Sequence, residues 1–280
     1  MSDHHVHISS KHDLLDLKLG EVWRYRGLIK LFTKRSFLVT YKQTVLGPAW
    51  LFISPLLTSL VYLVLFGRIA NLSTGGVPQL LFYLTGTGLW TFFSGCVTTN
   101  ASTFINNSNL FGKVYFPRLV IPISSVLSAA IKLAIQMILV FVLLVVYVIG
   151  GQVSPNYAAW LLVIPAVLQL GLLGMGTGII VSSLTTKYRD LSILVSFGVQ
   201  LWMYASPVVY PFGTVGEGWL RTILIINPVS APFELIRYAL FGSGSPGALM
   251  IVSSCLWTLV ALFGGIILFN RIERNFLDTV

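Results

Sequence analysis

Apolar residues dominate six stretches of the chain, at residues 49–66, 80–105, 119–149, 158–184, 192–210 and 247–269. A helix needs about 20 apolar residues to cross the hydrocarbon core of a bilayer, and each stretch meets or approaches that length. Transmembrane strands would alternate in segments of about ten residues, whereas these stretches are apolar on every side. The pattern therefore predicts an all-α polytopic membrane protein with six transmembrane helices. Before the first stretch the period changes. Leu28, Leu31, Phe32, Leu38, Val39, Val45 and Leu46 fall within an arc of roughly 140° at helical spacing. Arg35 and Lys42 share that arc, so their stems must snorkel toward phosphates from an interfacial helix. Gly47-Pro48 ends it, because proline disfavours helix in the residue before it and suits the first turn of a new one. The expected organisation is a tail at 1–20, an interfacial amphipathic helix at 21–47 and a transmembrane domain at 48–280.

Between the fifth and sixth stretches, residues 211–246 contain Trp219, an Ile223 to Ile226 run, Phe233 and Leu240-Phe241, divided at Asn227-Pro228. The segment is too apolar for a solvated loop and each half is too short to span. Two short re-entrant or interfacial helices are predicted. Glu234 and Arg237 stand i,i+3 on the second and can pair.

Composition agrees with a membrane protein: 55% of the 280 residues are hydrophobic and 10% charged, against roughly a quarter charged in soluble domains. Mean hydropathy is +0.84. The net charge of +9 would suggest nucleic acid in a soluble chain, but its distribution points elsewhere. With the N-terminus inside, fourteen Lys and Arg fall in cytosolic segments and three outside (Arg68, Arg221, Arg237), with Lys132 inside the third stretch. Both termini are therefore expected in the cytosol. No cleavable signal peptide is expected, since residues 1–47 lack a leading apolar core. The four histidines lie in the tail (His4, His5, His7, His12) without the supporting ligands a metal site needs, and no metal is expected there. Cys96 and Cys255 sit in apolar stretches as small hydrophobes.

In this orientation two connections face the cytosol. One runs from Asn106 to Arg118 and mixes apolar with basic residues; the other is Thr185-Thr186-Lys187-Tyr188-Arg189-Asp190. The first has the composition of a segment that docks on another protein.

These residues together resemble the membrane subunit of ABC-type polysaccharide exporters, the type-2 ABC permeases that move O-antigen, capsule or teichoic acid precursors. The resemblance covers about residues 25–270. It rests on motifs taken in order: Tyr41 to Trp50 with Pro55; Asn109-Leu110, Lys113, Phe116-Pro117 and Pro122; Tyr188-Arg189-Asp190-Leu191; Ser206-Pro207-Val208 with Tyr210; and Asn227-Pro228 before Arg237. It implies a coupling helix between the second and third spans that sits in a groove of an ATP-binding subunit, with Lys113, Tyr115, Phe116, Pro117, Arg118, Tyr188, Arg189 and Asp190 at that contact. ATP and magnesium would lie on the partner and no cofactor on this chain. Consistently, no G-x-x-x-x-G-K-[ST] loop occurs, and Gly112-Lys113 is followed by Val114. Two permease copies with two ATP-binding subunits in a bacterial inner membrane would form the assembly. Its partners would be a lipid-linked glycan and membrane lipids, not nucleic acid.

Further site residues follow from that reading. Arg35, Tyr41 and Lys42 would meet lipid headgroups at the conduit entrance. Trp90, Phe93 and Tyr204 are candidate conduit aromatics, whose faces suit sugar rings; helix packing and interfacial belts are the alternative. Trp219, Phe233, Glu234 and Arg237 would form an external gate, or a fixed cap. Gly171, Gly174, Gly176 and Gly178 are expected to allow close helix packing. Competing functions fit less well. A drug or lipid permease of the same class shares the framework. A membrane transferase would need surface acids, yet Asp190 is the only acid between Glu21 and Glu217. A secondary transporter would need a carboxylate relay, and Lys132 is the one ionisable residue in the stretches.

Overall fold

A computed structural model describes residues 19–42, 46–111, 116–185 and 191–277, and the described residues form no strand. Two N-terminal helices, α1 (Leu19–Arg24) and α2 (Arg26–Tyr41), precede the membrane bundle. The first span, Gly47–Ile69, begins with a 3-10 turn at the Gly47-Pro48 break, continues as α3 (Trp50–Tyr62) and widens to a π-helix over Leu63–Ile69. Gly47 has φ of 50°, a left-handed conformation that suits glycine and turns the chain from α2 into the span. Then come α4 (Gln79–Ala101), α5 (Thr103–Phe111), α6 (Val120–Ile149), α7 (Val163–Thr185) and α8 (Leu191–Tyr204). Two short helices, α9 (Trp219–Ile226) and α10 (Ser230–Phe241), lead to α11 (Ala248–Leu277).

Among the described residues, five helical segments are long and apolar enough to cross a membrane: Gly47–Ile69, Gln79–Ala101, Val120–Ile149, Tyr157–Thr185 and Ala248–Phe269. The first four predicted spans and the last are thus present, with α4 stopping at Ala101 instead of 105, where the chain bends at Ser102 into α5. The fifth differs. The apolar stretch 192–210 is helical only to Tyr204, and the 14 residues of α8 rise about 21 Å, short of a bilayer core.

At the centre stands α4, buried along most of its length and wedged between α6 and α7, with α7 packed in turn on α11. The glycines of α7 make this possible. A Cβ at Gly174 would lie 2.7 Å from Cβ of Cys96, one at Gly178 2.6 Å from Cβ of Asn100, and one at Gly176 2.7 Å from the carbonyl carbon of Ala261. Helix packing without a hydrophobic drive between spans relies on such close approach. Val61, Ile138, Val142, Val146, Ile164, Leu168, Val252 and Leu256 are exposed on the outside, as lipid-facing residues are.

Where one interfacial helix is expected at 21–47, the described residues form two helices, α1 and α2. The break at Tyr25 divides them, and the described helix ends at Tyr41 where the periodicity extends to Leu46. Ile29 and Thr33 are buried, while Leu31, Leu38 and Val39 of the apolar arc stay exposed. The reason is a tertiary contact: α2 lies on the start of α6, with the Thr33 hydroxyl near the carbonyls of Ile29 (2.8 Å) and Ser124 (3.3 Å). Val22, Ile29, Phe104, Phe116, Val120, Ile121, Ile179 and Phe269 close this end of the bundle in one apolar cluster.

Candidate translocation site

At the opposite end the chain leaves helical geometry in the middle of an apolar stretch. Ser206-Pro207 causes the break, because proline cannot donate to the helix and pushes the residue before it toward extended backbone. Carbonyls freed within a membrane protein must find donors from protein. Here they find side chains of the re-entrant pair. Asn227 donates from Nδ2 to the Ala205 carbonyl (2.8 Å) and to Ser206 Oγ (2.9 Å). Its Oδ1 accepts from Trp202 Nε1 and from the Val229 amide, both at 3.1 Å. Arg237 donates from Nη2 to the Val208 carbonyl (3.0 Å) and from Nη1 to that of Tyr210 (3.4 Å).

Arg237 is itself held on three sides. Nη1 pairs with Glu234 Oε1 at 3.0 Å, and the guanidinium lies 4.0 Å from the ring centroid of Phe82 on α4. Glu234 also accepts from the amides of Phe212 (3.3 Å) and Ser245 (3.1 Å). Both residues are almost fully buried, at 1% and 2% exposure. A buried charge pair is tolerated only when its remaining donors and acceptors are used, and this one ties α10 to α4 and to the 208–212 and 245 loops at once. Gly242 ends α10 in the left-handed conformation at φ 69°, where a Cβ would meet the Ser154 carbonyl at 2.5 Å.

The sequence profile of the ABC-2 type transporter family matches residues 27–241, which include both ends of the bundle and the buried pair. The chain belongs to that family. It is also similar, over nearly its whole length, to proteins named O-antigen export system permease protein RfbA. That of Myxococcus xanthus is 26% identical over 261 residues, covering 93% of this chain and 98% of the relative. Two from Klebsiella pneumoniae are 28% and 27% identical over 258 and 252 residues, covering 90% of this chain and 94% of each relative.

In this ABC-2 permease the two short helices expected within residues 211–246 are present as α9 and α10, bent by 87° at Asn227 to Val229. The predicted Glu234–Arg237 pair is formed. Of the proposed gate residues, Trp219 is 76% exposed, while Phe233 is wholly buried beside Glu234 and Arg237. Of the conduit aromatics, Tyr204 presents its ring at the surface of the chain. Trp90 and Phe93 do not: they pack on each other at 5.4 Å, and Phe93 meets Trp202 edge-on at 5.1 Å inside the core. Their place is the helix-packing alternative.

At the other end, Arg35 and Lys42 are exposed on α2, and Tyr41 is its last residue. Phe116 points inward, buried in the apolar cluster 6.1 Å from the Phe32 ring. Pro117 is half-buried and Arg118 buried beside it at the start of α6. Lys113, Tyr115, Tyr188, Arg189 and Asp190 lie outside the described residues. The reading from sequence missed the part played by Trp202 and Ser206. Their signal was present as polar or amphipathic groups beside the break and facing an asparagine that follows an apolar run.

Proposed function

We propose that this chain is the membrane-embedded subunit of an ATP-driven exporter that moves a lipid-linked polysaccharide of O-antigen type across the bacterial inner membrane. The collinear likeness to O-antigen export permeases of two organisms, spanning at least 90% of this chain and 94% of each relative, carries the reading. The missing phosphate loop supports it from another side, because energy must then come from a separate ATP-binding subunit that holds ATP and magnesium. Two copies of each subunit make the working assembly, with both termini of the permease in the cytosol.

In this reading the end bearing α2 and the Phe116 cluster faces the ATP-binding subunit. The connections around Lys113 and Tyr115, and around Tyr188 to Asp190, reach the partner, and Arg118 anchors the first of them to the bundle. Phe116 braces α2 against α6, so movement at the first connection is passed to α2 and to the start of the first span. Arg35 and Lys42, exposed on α2, meet the phosphate layer and favour an anionic carrier lipid. At the outer end α9 with Trp219 borders the exit, while the buried pair holds α10 in place. Tyr204 offers a sugar-stacking face there.

The test is export itself. Cells lacking the chain should accumulate lipid-linked polysaccharide on the cytosolic side, and restoring it with its ATP-binding partner should return the polymer to the cell surface. Proteoliposomes holding both subunits should move the glycolipid only with hydrolysable ATP. ATP-dependent movement of a drug or a bulk phospholipid, with polysaccharide left untouched, would overturn the proposal.

A further inference from the structure

Away from both ends, a groove of about 270 Å³ runs between the first span, α4 and α6. Its lining is unusual for a membrane interior. Ser54, Thr91, Ser125, Ser128, Lys132 and Gln136 all face it. The α6 members recur at intervals of three and four residues, so they form one polar stripe along a helix that is otherwise apolar. From Ser125 to Gln136 the stripe rises about 16 Å, from near the α2 end of α6 to its middle. No carboxylate lines the groove among the described residues.

Two residues of this lining carry a buried polar atom without a hydrogen-bond partner in the described structure: Gln136 at Nε2 and Ser128 at Oγ. Their residues are 5% and 3% exposed. A buried donor left unmade costs free energy, so such groups mark a site that something else completes. Gly88 on α4 leaves Gln136 room, since a Cβ there would lie 2.6 Å from its Nε2. The donors are an amide NH2, a hydroxyl and a lysine ammonium in a low-dielectric setting. That set matches an anion with several acceptor oxygens better than a neutral group. Trp50, Leu51 and Phe92 complete the wall and suit an attached hydrocarbon chain.

We propose that this groove binds the phosphate headgroup of an amphiphile, with Lys132, Gln136 and Ser128 contacting its oxygens and the acyl or prenyl chain lying against the apolar wall. The phosphate can come from a bilayer phospholipid or from a polyprenyl phosphate carrier; only the carrier source rests on the export reading above. The full-length permease, purified in detergent, can be titrated with phosphatidylglycerol, with a long-chain polyprenyl phosphate, and with the uncharged diacylglycerol and polyprenol, with bound lipid counted by native mass spectrometry. The phosphate-bearing lipids should bind and the uncharged ones should not. Lys132→Met and Gln136→Leu should each weaken binding roughly tenfold, as expected for loss of a hydrogen bond to a charged group, and Lys132→Arg should retain it. Gly88→Ala, which fills the space beside Gln136 while leaving every polar group in place, should weaken it as well. Preference for the polyprenyl phosphate assigns the site to the carrier, and equal binding of both assigns it to lipid phosphate in general. Binding unchanged in Lys132→Met and Gln136→Leu, equal uptake of the uncharged lipids, or no uptake at all would overturn the site. Because no transport is measured, its failure would leave the export proposal to its own test.

Discussion

The two short helices α9 and α10 are both apolar and are attached differently. In α10 ten of twelve residues are buried, and its two charges are bonded to each other and to backbone from two other segments, 208–212 and the loop at Ser245. In α9 only Leu224 is buried, and Trp219, Leu220, Ile223 and Ile226 are exposed. Hydropathy does not separate them. Position does: α10 supplies buried donors to the backbone beyond the Ser206-Pro207 break through Arg237, whereas α9 makes part-exposed contacts, from Arg221 to the Val215 carbonyl at 3.5 Å and from Ser253 to the Ile226 carbonyl at 3.2 Å. Such a segment is thus held by the polar groups it satisfies more than by the apolar area it covers, and the 87° bend between the two helices falls at Asn227 to Val229.

The largest effect should come from removing one partner of the buried pair. Arg237→Met leaves the buried Glu234 carboxylate without its counter-charge and takes the Arg237 donors from the Val208 and Tyr210 carbonyls, and should lower stability by about 3 kcal/mol or more. Thermal unfolding of the detergent-purified permease reads this directly, and the double change Glu234→Leu with Arg237→Met should be less damaging than the single one. If the single and double changes are equal, the pair does not hold α10. Next, Asn227→Ala removes the bonds to Ala205, Ser206, Trp202 and Val229, for a loss of about 1–3 kcal/mol. The change should also be visible as altered Trp202 fluorescence. Smallest of all is Trp219→Ser on α9, expected within about 0.5 kcal/mol of the parent in the same unfolding assay; a loss as large as that at Asn227 would mean α9 is attached after all.

How much of this was readable in sequence depends on whether a feature is one-dimensional. Span number and position follow from run length, and five of the six apolar stretches are membrane-crossing helices. The four α7 glycines also read correctly, because small residues at close spacing have few other uses in a span. The end of α8 did not, since the run 192–210 hides a break that Ser206-Pro207 announces only if proline is weighed above hydropathy. Trp90 and Phe93 were out of reach for a different reason. α4 is buried along most of its length, so no sequence pattern tells which of its aromatics meets Trp202. On α2, Leu28 and Phe32 of the arc pack on the end cluster, and Thr33, polar by composition, is buried against Ser124, a contact that periodicity does not show. The polar stripe Ser125, Ser128, Lys132, Gln136 stands at helical spacing in the sequence, but only Lys132 in it is charged, so composition singles out that residue and not the stripe.

The central claim, that α10 is pinned by its polar bonds while α9 is not, is tested most directly by amide hydrogen exchange. With the permease in a lipid nanodisc, residues 230–241 should be as protected as the core of α4, and residues 219–226 should exchange at least about a hundredfold faster, as expected for a segment that opens locally. Equal, rapid exchange in both helices would contradict the claim, and the outer pair would then be a lid that moves as one body.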